Sequence, residues 1–140
     1  MSQLPKIKLF LYHLFMTTLK KFLHSFVYAL DGIAYALTTQ RNMKVHTLAL
    51  TLVLIFGLSF KLSPIEWLCV TLASGLVISA ELFNTTIENI CDLLKDKLKL
   101  NFTDTTHARD LAAGAVLVAA IVASIVGLAI FVPKFAALFV

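Results

Sequence analysis

Glu81-Leu82-Phe83-Asn84-Thr85-Thr86-Ile87-Glu88-Asn89-Ile90-Cys91-Asp92 ends an apolar run that starts near Trp67. A helix turns about 100° per residue, so with Glu81 at zero Asn84 falls at about 300°, Glu88 at about 340° and Asp92 at about 20°. Three carboxylates and an amide therefore share one narrow stripe, whose first member sits inside or at the edge of a membrane-length apolar segment. An acid at that depth is expensive and ordinarily faces a bundle interior or a wet cavity. Oxygen ligands in such a stripe suit a divalent cation such as magnesium, and a carboxylate there can act as a general base on a hydroxyl. The alternative is a polar clasp between helices in lipid.

The rest of the composition agrees with a membrane setting. Of 140 residues, 59% are hydrophobic and 14% charged, with a mean hydropathy of +0.89; a soluble domain averages about 45–50% apolar. These values predict a small integral membrane protein with one domain, and the helical patterns along the chain make its expected fold all-α. The net charge of +4 does not indicate nucleic-acid binding, because the basic residues flank apolar segments instead of lining one polar face. Cys69 and Cys91 are too few for a disulfide scaffold, show no zinc-ligand spacing, and read as apolar fillers.

Working outward, the segment 65–90 is the second of three predicted spans; the others are about 43–61 and 109–132. Ser63-Pro64 with Glu66 reads as the start of the second span's helix, and Trp67 as an interface anchor. Residues 95–106 read as a polar loop, with Thr105 or Thr106 capping the third helix and Asp110 in its first turn. Pro133-Lys134 is expected to end that helix, and Ala112 to Ala115, Ala119, Ala120, Ala123 and Ser124 make one side of it small, as tight packing in lipid requires. Upstream, no signal peptide is expected. Residues 1–21 read as an interfacial extension, with Leu9 to Phe15 followed by Lys20 and Lys21 suited to a membrane surface. Phe22 to Gln40 forms a second amphipathic segment that Asp31-Gly32 weakens. His46 and His107 suit the interface, where an amphipathic ring is at home.

Lys6, Lys8, Lys20, Lys21, Arg41 and Lys44 precede the first span, and Lys95, Lys97, Lys99 and Arg109 lie between the second and third. Only Lys61 and Lys134 fall on the other side, so the positive-inside rule places the amino terminus and the basic loop in the cytoplasm. Three groups then converge on the face that meets ATP: Gln40-Arg41-Asn42, the Glu81 stripe, and His107-Ala108-Arg109-Asp110. Phosphoryl transfer needs a metal on the phosphates, cations to balance charge and a base near the attacking hydroxyl. No Walker-type or protein-kinase signature is present, and the residues alone support a membrane enzyme or a metal-dependent transporter.

Glu81-Leu-Phe-Asn-Thr-Thr-Ile-Glu-Asn resembles the E-[LI]-x-N-[ST]-[AT]-I-E-x signature of the small prokaryotic diacylglycerol kinase family. Arg41-Asn42-Met43-Lys44-Val45-His46 and Ala108-Arg109-Asp110-Leu-Ala-Ala-Gly-Ala-Val resemble two more of that family's motifs, in the same order. Leu62 to Trp67 and Phe131 to Lys134 look like its undecaprenol-kinase branch in Gram-positive bacteria. The resemblance covers residues 22–135 and leaves 1–20 outside.

It implies an ATP-dependent lipid kinase of the bacterial cell membrane that uses magnesium. The implied architecture is three transmembrane helices plus an amino-terminal amphipathic surface helix, assembled as a homotrimer with active sites shared between subunits. By position, Glu81 matches the acid that activates the lipid hydroxyl and Asn84 a neighbour that positions the reacting groups. Glu88 matches a metal-binding glutamate, and Arg109 and Asp110 the charged pair that meets the nucleotide. Tyr28 matches an aromatic of the nucleotide pocket, and Lys21 a basic residue near the phosphates. Gln40 stands where many members carry a second metal-binding glutamate; its amide oxygen can ligate magnesium but brings no charge. The implied acceptor is undecaprenol. Diacylglycerol is the alternative acceptor, and a non-catalytic scaffold of the same fold, which Gln40 favours, is the alternative role.

Overall fold

A computed structural model describes residues 4–99 and 101–139, with side chains from residue 16 onward. It is all-helical, in the order α1 (Leu4–Thr39), α2 (Arg41–Ser59), α3 (Pro64–Leu98) and α4 (Phe102–Ala136). The chain divides into two compact units, Met1–Tyr35 and Ala36–Val140. In the first unit α1 runs without interruption through both predicted amphipathic segments and through Asp31-Gly32. A single glycine costs a helix only about 1 kcal/mol relative to alanine, which the many leucines, alanines and lysines around it outweigh. Phe22 stacks edge-on against Phe26 at 5.1 Å, and the Ser25 hydroxyl donates to the Lys21 carbonyl at 3.0 Å.

The second unit holds α2, α3 and α4, each long and apolar enough to cross a membrane. Its turns explain its order. Helix α2 ends in a Schellman motif: Leu62 N donates to Gly57 O at 3.0 Å and Lys61 N to Leu58 O at 3.2 Å. Lys61, with φ of 51°, takes the left-handed position that glycine usually fills. Leu62 is buried, and the Trp67 ring lies against Gly57, where a β-carbon would meet Cη2 at 2.7 Å. Helix α3 then opens on the expected Ser63–Glu66 capping box, with Ser63 N donating to Glu66 Oε2 at 2.7 Å and Glu66 N to Ser63 Oγ at 3.3 Å.

The predicted 95–106 loop is a correction. Helix α3 runs on to Leu98 and α4 starts at Phe102, leaving three residues between them. Leucine and lysine favour helix, Lys95 and Lys97 complement the helix dipole in the last turn, and Lys99 closes it at φ 56°. Neither Thr105 nor Thr106 caps α4. Asn101 occupies that position, its backbone N–H donating to Asp104 Oδ2 at 2.8 Å, while both threonine hydroxyls donate back to Phe102 O from inside the helix. Pro133 does not end α4 either, since the helix continues to Ala136.

Helices α3 and α4 form an antiparallel pair held by an ion pair at each end. Arg109 Nη2 meets Asp92 Oδ1 at 2.8 Å, and Lys134 Nζ meets Glu66 Oε1 at 2.9 Å. Between them the seam of α4 is Val116 and Ala119, both buried, with Ala120 and Ala123 partly so; Ala113, Ala115 and Ser124, also in the predicted small face, are exposed. Helix α2 packs on α3. It reaches α4 through phenylalanines, Phe56 lying 5.3 Å from Phe135 and 6.5 Å from Phe131.

Candidate active site

The stripe predicted from periodicity exists on α3, and it is buried. Glu81 is 1% exposed, Asn84 3% and Thr85 4%, and Glu81 shares with Met43 the distinction of being the largest fully buried side chain. Asn84 Nδ2 donates to Glu88 Oε1 at 3.1 Å, one turn along the helix. Among the described residues, Glu81 Oε2, Asn84 Oδ1 and Thr85 Oγ1 have no hydrogen-bond partner. Leaving a buried polar atom unpaired costs about 1–3 kcal/mol. Three such atoms within five residues mark a place built to receive something polar.

Thr85, at about 40° from Glu81, borders the same stripe, as expected of a hydroxyl beside Glu81 on that face. Its burial depends on packing that periodicity does not encode. Asp92, the stripe's last carboxylate, is paired: it accepts from Arg109 across to α4. The guanidinium is also within 3.4 Å of Thr105 Oγ1 through Nε, and it lies over the Phe102 ring at 5.3 Å. Arg109 is thus held by an anion, a hydroxyl and an aromatic face, while the adjacent Asp110 is exposed. A planar five-donor fork can make these contacts together, which an ammonium cannot.

The other sequence-derived positions lie on other elements. Gln40 is the extended residue between α1 and α2 and is partly exposed. Lys21 and Tyr28 belong to the first unit and are exposed, Tyr28 at 6.2 Å from His24 ring to ring. Among the described residues, no group of three or more His, Cys, Asp or Glu side chains is arranged to hold a metal ion alone. The donors at the stripe are nonetheless all oxygens, and magnesium typically takes one or two carboxylates plus substrate phosphates and water. Glu88, whose Oε1 accepts from Asn84, offers one carboxylate to that partial ligand set.

A second feature adjoins the stripe. A cleft of about 250 Å³ runs between α2 and α4 with α3 as its back wall, from His46, Ile78 and Ala120 at one end to Val53 and Gly127 at the other. Val77 and Ile78 at its upper end precede Glu81 by one turn.

The family model of prokaryotic diacylglycerol kinase matches residues 27–131. The chain belongs to the prokaryotic diacylglycerol kinase family. It is accordingly a membrane lipid kinase, and kinase chemistry of this family implies ATP as phosphate donor. It is 44% identical over 116 residues to the undecaprenol kinase of Bacillus subtilis (strain 168), covering 83% of this chain and 92% of that relative. It is 39% identical over 116 residues to a diacylglycerol kinase of Synechocystis, covering 83% of this chain and 65% of that one. No solved structure matches the chain.

Proposed function

We propose that the protein is an undecaprenol kinase that transfers the γ-phosphate of ATP to the lipid hydroxyl at the Glu81 stripe. The observation that carries the chemistry is the buried Glu81 carboxylate with an unpaired oxygen. The acceptor's hydroxyl donates to Oε2, which takes its proton as the oxygen attacks the γ-phosphorus and the bond to the β-phosphate oxygen breaks, releasing ADP. Asn84, bonded to Glu88 through its amide nitrogen and with its carbonyl oxygen unpaired, orients the reacting groups. Magnesium, held by Glu88 with Gln40 and the nucleotide's phosphates, would neutralise charge on the transferring group. Arg109, fixed by Asp92, offers its remaining donors to the phosphates, with Asp110 beside it; Lys21 and Tyr28 are carried as nucleotide contacts by the family resemblance alone.

The distribution of lysine and arginine supports a cytoplasmic amino terminus, with residues 1–21 as an interfacial extension, α1 on the membrane surface and the kinase domain from residue 22. A homotrimer with shared sites, which the family resemblance implies, would cover part of the apolar surface that the three spans otherwise turn to lipid. The identity to the Bacillus relative supports undecaprenol over diacylglycerol.

The test is transfer from labelled ATP, with magnesium, to each lipid in one detergent system, compared as kcat/KM because discrimination resides in transition-state binding. A higher value with undecaprenol is expected. Equal or greater efficiency with diacylglycerol would replace the acceptor, and no transfer to either would indicate a non-catalytic scaffold.

A further inference from the structure

We propose that Thr85 is a second contact for the acceptor's hydroxyl, its Oγ1–H donating to the acceptor oxygen while Glu81 Oε2 takes that oxygen's proton. The inference rests on the lipid-kinase reading and adds to the transfer step a residue that has no part in it so far.

The Thr85 hydroxyl differs from its neighbours. A helical hydroxyl commonly donates back to the carbonyl one turn earlier. Thr47, Thr51, Thr86 and Ser124 all do so, at 2.7–2.9 Å. Thr85 is buried, and its Oγ1 has no partner among the described residues, so it forgoes even the Glu81 carbonyl of its own helix. An unmade bond at a buried hydroxyl is costly, and the chain keeps it one turn from a carboxylate in the same condition.

The unpaired atoms together complement an alcohol. Ionised Glu81 Oε2 and Asn84 Oδ1 only accept, whereas Thr85 Oγ1 carries a hydrogen. Acceptors alone would suit a cation; acceptors with one donor suit a hydroxyl, which both gives and takes. The spacing agrees. Residues four apart on a helix hold their β-carbons about 5–6 Å apart, and one oxygen bonded to two groups at about 2.8 Å each bridges up to about 5.6 Å. An alcohol oxygen has one hydrogen and two lone pairs. The hydrogen goes to Glu81 and one lone pair accepts from Thr85. The other forms the bond to the γ-phosphorus as the bond to the β-phosphate oxygen breaks. Thr85 keeps its own proton throughout. Holding the oxygen from two sides fixes the direction of the attacking lone pair, which is what a near-attack geometry requires.

Thr85→Val keeps the branched shape and removes the hydroxyl, Thr85→Ser keeps the hydroxyl, and Thr86→Val, at an exposed neighbour, is the control. The acceptor is undecaprenol, or diacylglycerol should wild type use that lipid with the higher kcat/KM. Thr85→Val is expected to lower kcat/KM for the acceptor about tenfold, with its ATP KM and the kinetics of Thr85→Ser and Thr86→Val within about threefold of wild type. Because the lost hydroxyl has no partner in the free protein, Thr85→Val should also unfold at or above the wild-type temperature, which a hydroxyl with a structural role would not allow. Undiminished acceptor use, an equal rise in the ATP KM, or a serine protein as impaired as the valine one would overturn the proposal. So would a lower unfolding temperature or a changed oligomeric state in Thr85→Val, by making the hydroxyl a bond of the assembly. A readout independent of transfer is the rise in unfolding temperature when the acceptor is added with magnesium and the non-transferable β,γ-methylene analogue of ATP. It should be larger in wild type than in Thr85→Val, and equal shifts would overturn the proposal. If wild type shows the larger shift yet phosphorylates neither lipid, the kinase reading fails and the Thr85 contact stands.

Discussion

Gly57 should tolerate alanine worse than any other helical glycine in the second unit, and the size of the effect can be worked out. A β-carbon there would lie 2.7 Å from Trp67 Cη2, 3.0 Å from Cζ2 and 3.1 Å from Leu62 Cδ1. Carbon atoms pack best at about 3.5–4.0 Å, so the ring must withdraw by about 1 Å. Leu62 is buried and held by the turn that closes α2, so Trp67 carries most of the adjustment. Overpacking of this kind costs about 1–3 kcal/mol, against which glycine-to-alanine in a helix returns about 1 kcal/mol. The net expectation for Gly57→Ala is a loss of about 1 kcal/mol. At Gly75, where nothing lies within 4 Å of the added carbon, only the gain remains. Thermal unfolding of the purified protein in one detergent should therefore place Gly57→Ala below wild type by about 4 °C and Gly75→Ala at or above it. In a Trp67→Phe background, which removes the far ring atoms, Gly57→Ala should cease to destabilise. A stability gain from Gly57→Ala in the wild-type background would refute the reasoning, because it would mean that the indole does not rest on α2.

Two further expectations concern the site. Asp92→Asn should raise the KM for ATP several-fold with a smaller change in kcat, since Arg109 loses the anion that holds it; Asp92→Glu should restore it in part, and an unchanged KM would show that Arg109 is positioned by other contacts. Gln40→Glu adds a charged oxygen ligand, so the magnesium concentration for half-maximal activity should fall with acceptor preference unchanged. Superimposable titrations at fixed ATP would place Gln40 away from the metal.

What could be read from the chain follows from the physics at each position. Glu81, Asn84 and Glu88 were legible because polar groups in an apolar helix are costly and their angular spacing is fixed by helix geometry. The Ser63–Glu66 box was legible because its partners are three residues apart. The 99–101 connection was not, because residues 95–106 are polar and hydropathy cannot separate a solvated helix end from a loop. The Asp92–Arg109 bridge spans two helices, and sequence had suggested only the local neighbour Asp110. Thr85 could be placed beside Glu81, but its burial and the α2–α4 cleft depend on how three helices close together, which no local pattern specifies.

Glu81→Gln tests the chemistry most directly. The amide matches the carboxylate in size at a position that is 1% exposed, so the helices and the assembly should persist, but an amide cannot take the proton of the attacking hydroxyl. General-base catalysis is worth about 10²–10⁴-fold. Purified Glu81→Gln should therefore turn over undecaprenol at least ~100-fold more slowly than wild type at saturating ATP and magnesium, with its thermal stability and oligomeric state retained. Turnover within a few-fold of wild type would contradict the assignment of Glu81 as the base.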